Sequence, residues 1–490
     1  MIKKAISIFT LLSAVLLVVV ISSNIPRKEV TEVRPVAAVK PNIIVIFTDD
    51  QRYNTLHALG GDQVITPNLD GLVKGGTTFT HAFNMGAWHG AVCVASRAML
   101  LTGMSVWNVK KQEADYASLA AADGFWPQQM KRAGYETYMS GKWHVDTDAG
   151  KLFDHVSNIR PGMPNQTPQG YNRPLSRQDT VWQPWKEEFG GFWKGGKHWS
   201  EVLADDAVGY IRDASKKESP FFMYLAFNAP HDPRQAPKRW LDKYPVDQIK
   251  LPASYLDDYP YKTEMGCGTD LRDEQLAPFP RTPYAVKKNI QEYYASISYM
   301  DEQVGRILDA LKKSGKMDNT YILFTADHGL SVGHHGLMGK QSMFDHSMRP
   351  PLVIKGPAIP KGEKRNQQVY LQDIMATSYE LAGVRKPEHV FFNSLLPLVK
   401  DAKKPGPYTE IYGCYMNLQR MVRTERYKMI IYPAASKILL FDMLKDPQEM
   451  HDIFANTSSK KILKELKMRM LEQQKMMNDP LDLSAFLNKI

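Results

Sequence analysis

Four short apolar runs, each ending abruptly in charged residues, constrain what this chain can fold into more than any other feature. Asn42–Phe47 is β-branched, too short for a stable helix, and stops at Thr48, Asp49 and Asp50. Tyr135–Met139 leads to Lys142, Trp143 and His144, Phe221–Phe227 to Pro230 and His231, and Thr320–Thr325 to Asp327, His328 and Gly329. Strands apolar on both sides belong in a parallel sheet covered by helices. A helical pattern supports this, with Val286, Ile290, Ile297, Val304, Ile307, Leu308 and Leu311 on one face up to Ser314-Gly315. The expected fold is α/β: a large mixed, mostly parallel sheet sandwiched by helices. Ligands of such sheets bind beyond the carboxyl ends of the strands, which is where these Asp, Lys and His residues collect.

The flanks differ in character. Lys3 and Lys4 precede the apolar run Ala5–Ile21, so residues 1–23 read as a secretory signal peptide or an uncleaved anchor, followed by a polar linker over 24–40. We therefore expect an exported protein, periplasmic or extracellular, touching a membrane only through that segment if at all. A catalytic domain is expected over 41–385. A smaller α+β subdomain with a short antiparallel sheet is expected over 386–490, with strands at Tyr408–Gly413, Arg420–Thr424 and Tyr427–Tyr432. Lys460–Lys475 carries Ile462, Leu463, Leu466, Met470 and Leu471 at helical spacing, which predicts a helix packed on the domain, not a nucleic-acid element. The segment 151–200, rich in Gly, Pro and Trp, reads as an ordered excursion over the sheet. With 62 Lys+Arg against 52 Asp+Glu, the chain suits anionic partners.

Three cysteines, far apart and without a CxxC pair, exclude a disulfide framework. Cys93 stands out because it opens what reads as a helix, with Ser96 and Arg97 one turn on. A helix N-terminus beside a guanidinium stabilises negative charge, so a reactive thiol or an oxyanion site follows; the commoner role of a lone cysteine is buried packing. Cys93-Val94-Ala95-Ser96-Arg97 followed by Thr102-Gly103 resembles the signature of the type I sulfatases, in the alkaline phosphatase superfamily. The resemblance extends in order through Asp49-Asp50, Gly141-Lys142-Trp143-His144, Pro230-His231, Asp327-His328-Gly329 and Gly339-Lys340, and ends at Leu440–Met443 with Asp446, Pro447 and Glu449.

That resemblance implies a sulfuric ester hydrolase with an alkaline phosphatase-like fold. It implies that Cys93 is oxidised to formylglycine (3-oxoalanine), whose hydrate is the nucleophile. Asp49, Asp50, Asp327 and His328 would bind a divalent cation together with the modified Cys93. Three carboxylates favour Ca2+ over Mg2+, although His328 replaces the Asn common in the family. Arg97 would hold the formylglycine and the metal ligands, and Lys142 and Lys340 would contact the sulfate. His144 would take the hydrate proton, and His231 would assist the leaving alcohol. Ala95 stands where many members have Pro, a variant similar to bacterial sulfatases matured by an anaerobic radical S-adenosylmethionine enzyme. Cys267 and Cys414 are expected to be structural.

For specificity, Arg234, Arg272 and Arg281 lie in the loop-rich span after the third strand, and Trp88, His89 and Trp143 adjoin the motifs. Arg pairs with sulfate or carboxylate, and Trp stacks on sugar faces. The expected substrate is a sulfated oligo- or polysaccharide attacked by an exo-acting O-sulfatase. An aryl or choline sulfate, or a phosphodiester or phosphonate monoester, is the alternative.

Overall fold

The computed structural model describes residues 40–488; the expected signal or anchor and all of the linker before Lys40 lie outside the described residues. Eight strands form the central sheet in the order Glu363–Tyr370, Thr77–Phe83, Leu352–Lys355, Thr320–Ala326, Asn42–Thr48, Phe221–Ala226, Glu136–Lys142 and His155–Arg160. Leu352–Lys355 runs antiparallel to both neighbours and every other pairing is parallel. The large mixed, mostly parallel sheet read from the sequence is therefore present.

Strand alternation explains how Asn42–Thr48 is buried on both sides. Ile43, Val45 and Phe47 point into one core, which reaches the C-terminal strands. Ile44 and Ile46 point into the other, formed with Leu69 and Leu72, with Leu203 and Ile211 of the helix Trp199–Ala214, and with Met300, Val304, Ile307 and Leu311. Those last four belong to the helix Pro283–Lys313, whose start is capped by Thr282 Oγ1 accepting from the Ala285 amide at 3.1 Å.

A second sheet joins Ile411–Tyr415, Gln419–Arg423, Tyr427–Tyr432 and Lys437–Asp442 as an antiparallel meander. Its fifth strand is Gly86–Ala87, which pairs in parallel with Cys414 and Tyr415 just ahead of Cys93. Gly86 sits at φ 93°, and a Cβ there would fall 1.8 Å from the Cys414 carbonyl oxygen, so only glycine allows this approach. The helix Lys460–Met477 buries Leu463, Leu466, Met470 and Met477 against this side of the molecule.

Candidate active site

The four central strands Thr320–Ala326, Asn42–Thr48, Phe221–Ala226 and Glu136–Lys142 are adjacent and parallel, so their C-terminal ends open on the same edge. The Asp327 amide donates to the Thr48 carbonyl at 3.1 Å, and the Asp50 amide donates to Asp327 Oδ1 at 3.0 Å. These bonds tie two strand ends together and bring Asp49, Asp50, Asp327 and His328 to one point, with one ligand atom from each within 4.8 Å of the others. All four are buried. Asp49 Oδ1 has no hydrogen-bond partner, and neither has His328 Nε2, although Asp50 Oδ1 lies 3.2 Å from that nitrogen. Burial, reinforced by repulsion from Asp49, pushes the Asp327 carboxyl up to about 7 against the pull of His328, Arg97 and Lys142. Orphaned buried acceptors and crowded carboxylates are what a divalent cation with mainly oxygen ligands relieves, so this donor set fits one.

Three cations answer the carboxylates. Arg97 Nη2 lies 3.3 Å from Asp327 Oδ2 and 3.6 Å from Asp49 Oδ2, while its Nη1 donates to the Lys142 carbonyl at 3.0 Å. Its guanidinium also sits 4.9 Å from the centre of the Phe47 ring. Lys142 pairs with Asp49, and Lys340 bridges both oxygens of Asp50 at 2.9 and 3.0 Å. Ser96 Oγ donates to the Asp327 carbonyl at 2.8 Å, which docks the start of the helix Val92–Thr102 on the strand end.

Cys93 is the second residue of that helix. Burial pushes its thiol up, but Lys142, Lys340 and His144 outweigh burial and hold it well below the usual thiol range. Its Sγ lies 3.3 Å from His144 Nδ1. His144 adopts φ 57°, and its ring packs directly against Gly162. His231 offers a ring nitrogen within 4.8 Å of Cys93 Sγ and an Asp49 oxygen. Burial pulls this imidazole down, Lys340 adds to that, and the carboxylates of Asp50, Asp232 and Asp49 together lift it to about 10.

A cavity of about 300 Å³ opens over this cluster, lined by Cys93, His144, His231, Arg272, Lys340 and Gln341 among others. Of the six residues proposed from the sequence for specificity, Arg272 alone lines it. Trp143 borders a separate groove that shares His144 and Gly162 with the cavity. Trp88 is buried edge-on to His89, with ring centres 5.6 Å apart, and His89 Nδ1 accepts from the Ala91 amide; neither lines the cavity. Arg234 is buried, donates to Asn289, and lines neither space. Arg281 is a correction to the specificity reading. It is buried, donates to the Gly336 and Glu274 carbonyls, and pairs with the Glu274 carboxylate. Glu274 in turn accepts from the amides of Met338 and Gly339 at 2.9 Å, so the pair clamps the loop that carries Lys340.

Sequence reasoning missed Asp232, Asp273, Gln341 and Tyr171. Asp232 follows His231 directly and binds its Nδ1, which the adjacency could have revealed. Asp273 sits in the short 3-10 turn Arg272–Leu276, and Tyr171 and Gln341 in irregular segments without periodicity.

Four buried acid or imidazole groups that could hold a cation, a cysteine at a helix start, two lysines and two histidines at the edge of an α/β sheet fit a metal-assisted hydrolase for esters of a tetrahedral oxyanion. The chain belongs to the sulfatase family, whose model matches residues 41–384, and it is a sulfuric ester hydrolase. Residues 333–476 also match the model of the N-sulphoglucosamine sulphohydrolase C-terminal region. An N-acetylglucosamine-6-O-sulfatase of Bacteroides thetaiotaomicron is 27% identical, over 93% of this chain and 88% of its own. An arylsulfatase of Clostridium perfringens is 28% identical, over 84% and 90%. Among solved structures, a protein in complex with its substrate D-glucosamine-2-N,6-O-disulfate superposes with TM-score 0.70 at 24% identity, covering 90% of this chain and 99% of that one. A phosphonate monoester hydrolase from Silicibacter pomeroyi gives 0.71 at 19%, covering 91% and 97%, so the same fold serves more than one ester class.

Proposed function

We propose that this protein is an exo-acting O-sulfatase of a sulfated carbohydrate, working through a formylglycine made from Cys93 and a Ca2+ held by Asp49, Asp50, Asp327 and His328. The observation that carries this reading is the meeting of Cys93, His144, His231 and Lys340 at one cavity, above carboxylates that leave Asp49 Oδ1 without a partner. When bound, the cation and the formylglycine supply charge neutralisation at the sulfate oxygens and an activated hydroxyl nucleophile.

The chain's own residues do the rest. Lys142 and Lys340 sit where charge builds on the sulfate oxygens, in a buried site where such charges act strongly. Arg97 braces Asp49 and Asp327 so that the metal ligands keep their geometry. His144 is at hydrogen-bond distance from the side chain of residue 93 and takes a proton there. His231 delivers a proton to the leaving oxygen.

A sugar fits better than a small aryl group for two reasons. Arg272, Asp273 and Gln341 give the cavity wall the hydrogen-bonding groups that hydroxyl-rich ligands need. The Bacteroides relative with near full-length coverage is named for a sugar sulfate. The run Ala5–Ile21 supports action outside the cytoplasm, and Ala95 supports maturation by an anaerobic radical S-adenosylmethionine enzyme. The test is sulfate release from defined sulfated mono- and oligosaccharides beside aryl sulfate, choline sulfate and phosphate esters. Preferred turnover of a sugar sulfate supports the reading; turnover confined to aryl sulfate or phosphate esters defeats it.

A further inference from the structure

The residue behind His231 is as well placed as the histidine itself. Asp232 Oδ1 lies 3.0 Å from His231 Nδ1, on the side of the ring away from the Nε2 that faces Asp50 at 3.8 Å. The Asp232 carbonyl oxygen lies 2.8 Å from the same Nδ1, so two acceptors of one residue fix that nitrogen as a donor. The carboxylate is itself held. Tyr171 donates its hydroxyl to Asp232 Oδ2 at 2.7 Å, and Arg272 Nη2 lies 3.3 Å from Oδ1. Asp232 is 2% exposed, so water does not compete for these bonds.

Tyr171 comes from the irregular segment after the strand His155–Arg160, and Arg272 from the 3-10 turn Arg272–Leu276 that walls the cavity. Two separate chain segments therefore converge on a carboxylate whose placement orients one imidazole. An acid or base oriented by a third group is the arrangement that makes a histidine an efficient proton carrier.

We propose that Asp232, steadied by Tyr171, is a positioning residue that presents His231 Nε2–H to the leaving oxygen. This rests on the sulfatase reading and adds a residue to it. In the step, the bond from sulfur to the bridging oxygen breaks and its electron pair stays on that oxygen. His231 Nε2–H transfers its proton there, and the sulfuryl group would pass to the hydroxyl oxygen that a formylglycine at position 93 would supply, the proton of that hydroxyl going to His144. The imidazole is left neutral, with Nδ1–H still on Asp232. An alcohol of high pKa, such as a sugar hydroxyl, needs that proton as it leaves; a nitrophenolate does not.

The dependence of rate on the leaving group is therefore the readout. Matured wild type, Asp232→Asn and Tyr171→Phe are compared on phenyl sulfates with graded leaving groups and on a sugar sulfate, with melting curves to confirm folding. Asp232→Asn is expected to lose about 10²–10³-fold in kcat on the poorest leaving groups and about tenfold or less on 4-nitrophenyl sulfate. Tyr171→Phe should shift the same slope in the same direction by a smaller amount. A loss equal across the series, or no loss, overturns the proposal. The phenyl series decides this even if the wild type ignores sugars, an outcome that counts against the carbohydrate reading alone.

Discussion

Cys93 Sγ lies 3.3 Å from His144 Nδ1, and the ring of His144 has room to lie there because residue 162 has no side chain. A Cβ on Gly162 would fall 2.1 Å from His144 Cε1 and Nε2. The pairing of Cys93 with His144 thus depends on a glycine from the loop after the strand His155–Arg160.

Gly162→Ala should displace His144 and lower kcat by about tenfold or more, while overpacking costs about 1–3 kcal/mol of stability. His144→Ala in matured enzyme should lower kcat by about 10²–10⁴-fold. Steady-state kinetics beside a crystal structure of the Gly162 variant would show whether the ring has moved with the rate.

The proposed cation site gives a pH-dependent stability. Asp327 is raised from 3.8 to about 7, so the folded chain binds more protons than the unfolded one between those values. Stability from this group is therefore present at low pH and is lost as pH rises through that window. A Ca2+ held there would bind the ionised carboxylate, so below pH 7 it would have to displace a proton. Matured protein should gain a larger increase in Tm from a fixed excess of Ca2+ at pH 7.5 than at pH 5, measured against chelated samples. Equal gains at both pH values would contradict the assignment of Asp327 as a ligand.

Arg281 and Glu274 form a buried ion pair that holds the Met338 and Gly339 amides beside Lys340. Arg281→Ala leaves Glu274 buried without its main counter-charge, which costs about 3–5 kcal/mol. Arg281→Lys should rescue little, because one ammonium cannot reach the Gly336 and Glu274 carbonyls together with the Glu274 carboxylate as the guanidinium fork does. Thermal melts and the KM of the surviving protein check both.

What the sequence made legible follows from how local each feature is. Runs such as Asn42–Phe47 announce buried parallel strands by composition, and the polar residues after them lie at the sheet edge because adjacent parallel strands share their ends. The sheet's outer strands, Glu363–Tyr370 and His155–Arg160, and the strand Thr77–Phe83 beside the first were not legible, since they carry Thr, Ser, His, Asn, Lys, Arg and Gln in place of an apolar run. The cavity wall was harder still. Arg272 and Arg281 are nine residues apart, yet one lines the cavity and the other is buried on the Glu274 carboxylate, a difference that the residue type does not announce. Gly86–Ala87, too short to read as a strand, turned out to carry the second sheet up to the helix of Cys93.

The central claim is that residue 93 does not act as a cysteine. Mass spectrometry of the peptide spanning Cys93, from protein produced with and without an anaerobic radical S-adenosylmethionine maturase and assayed for sulfate release in the same samples, tests it most directly. An aldehyde in place of the thiol is expected only with the maturase, with sulfate release in proportion to the converted fraction. Full sulfate release from protein whose residue 93 is entirely thiol would contradict it.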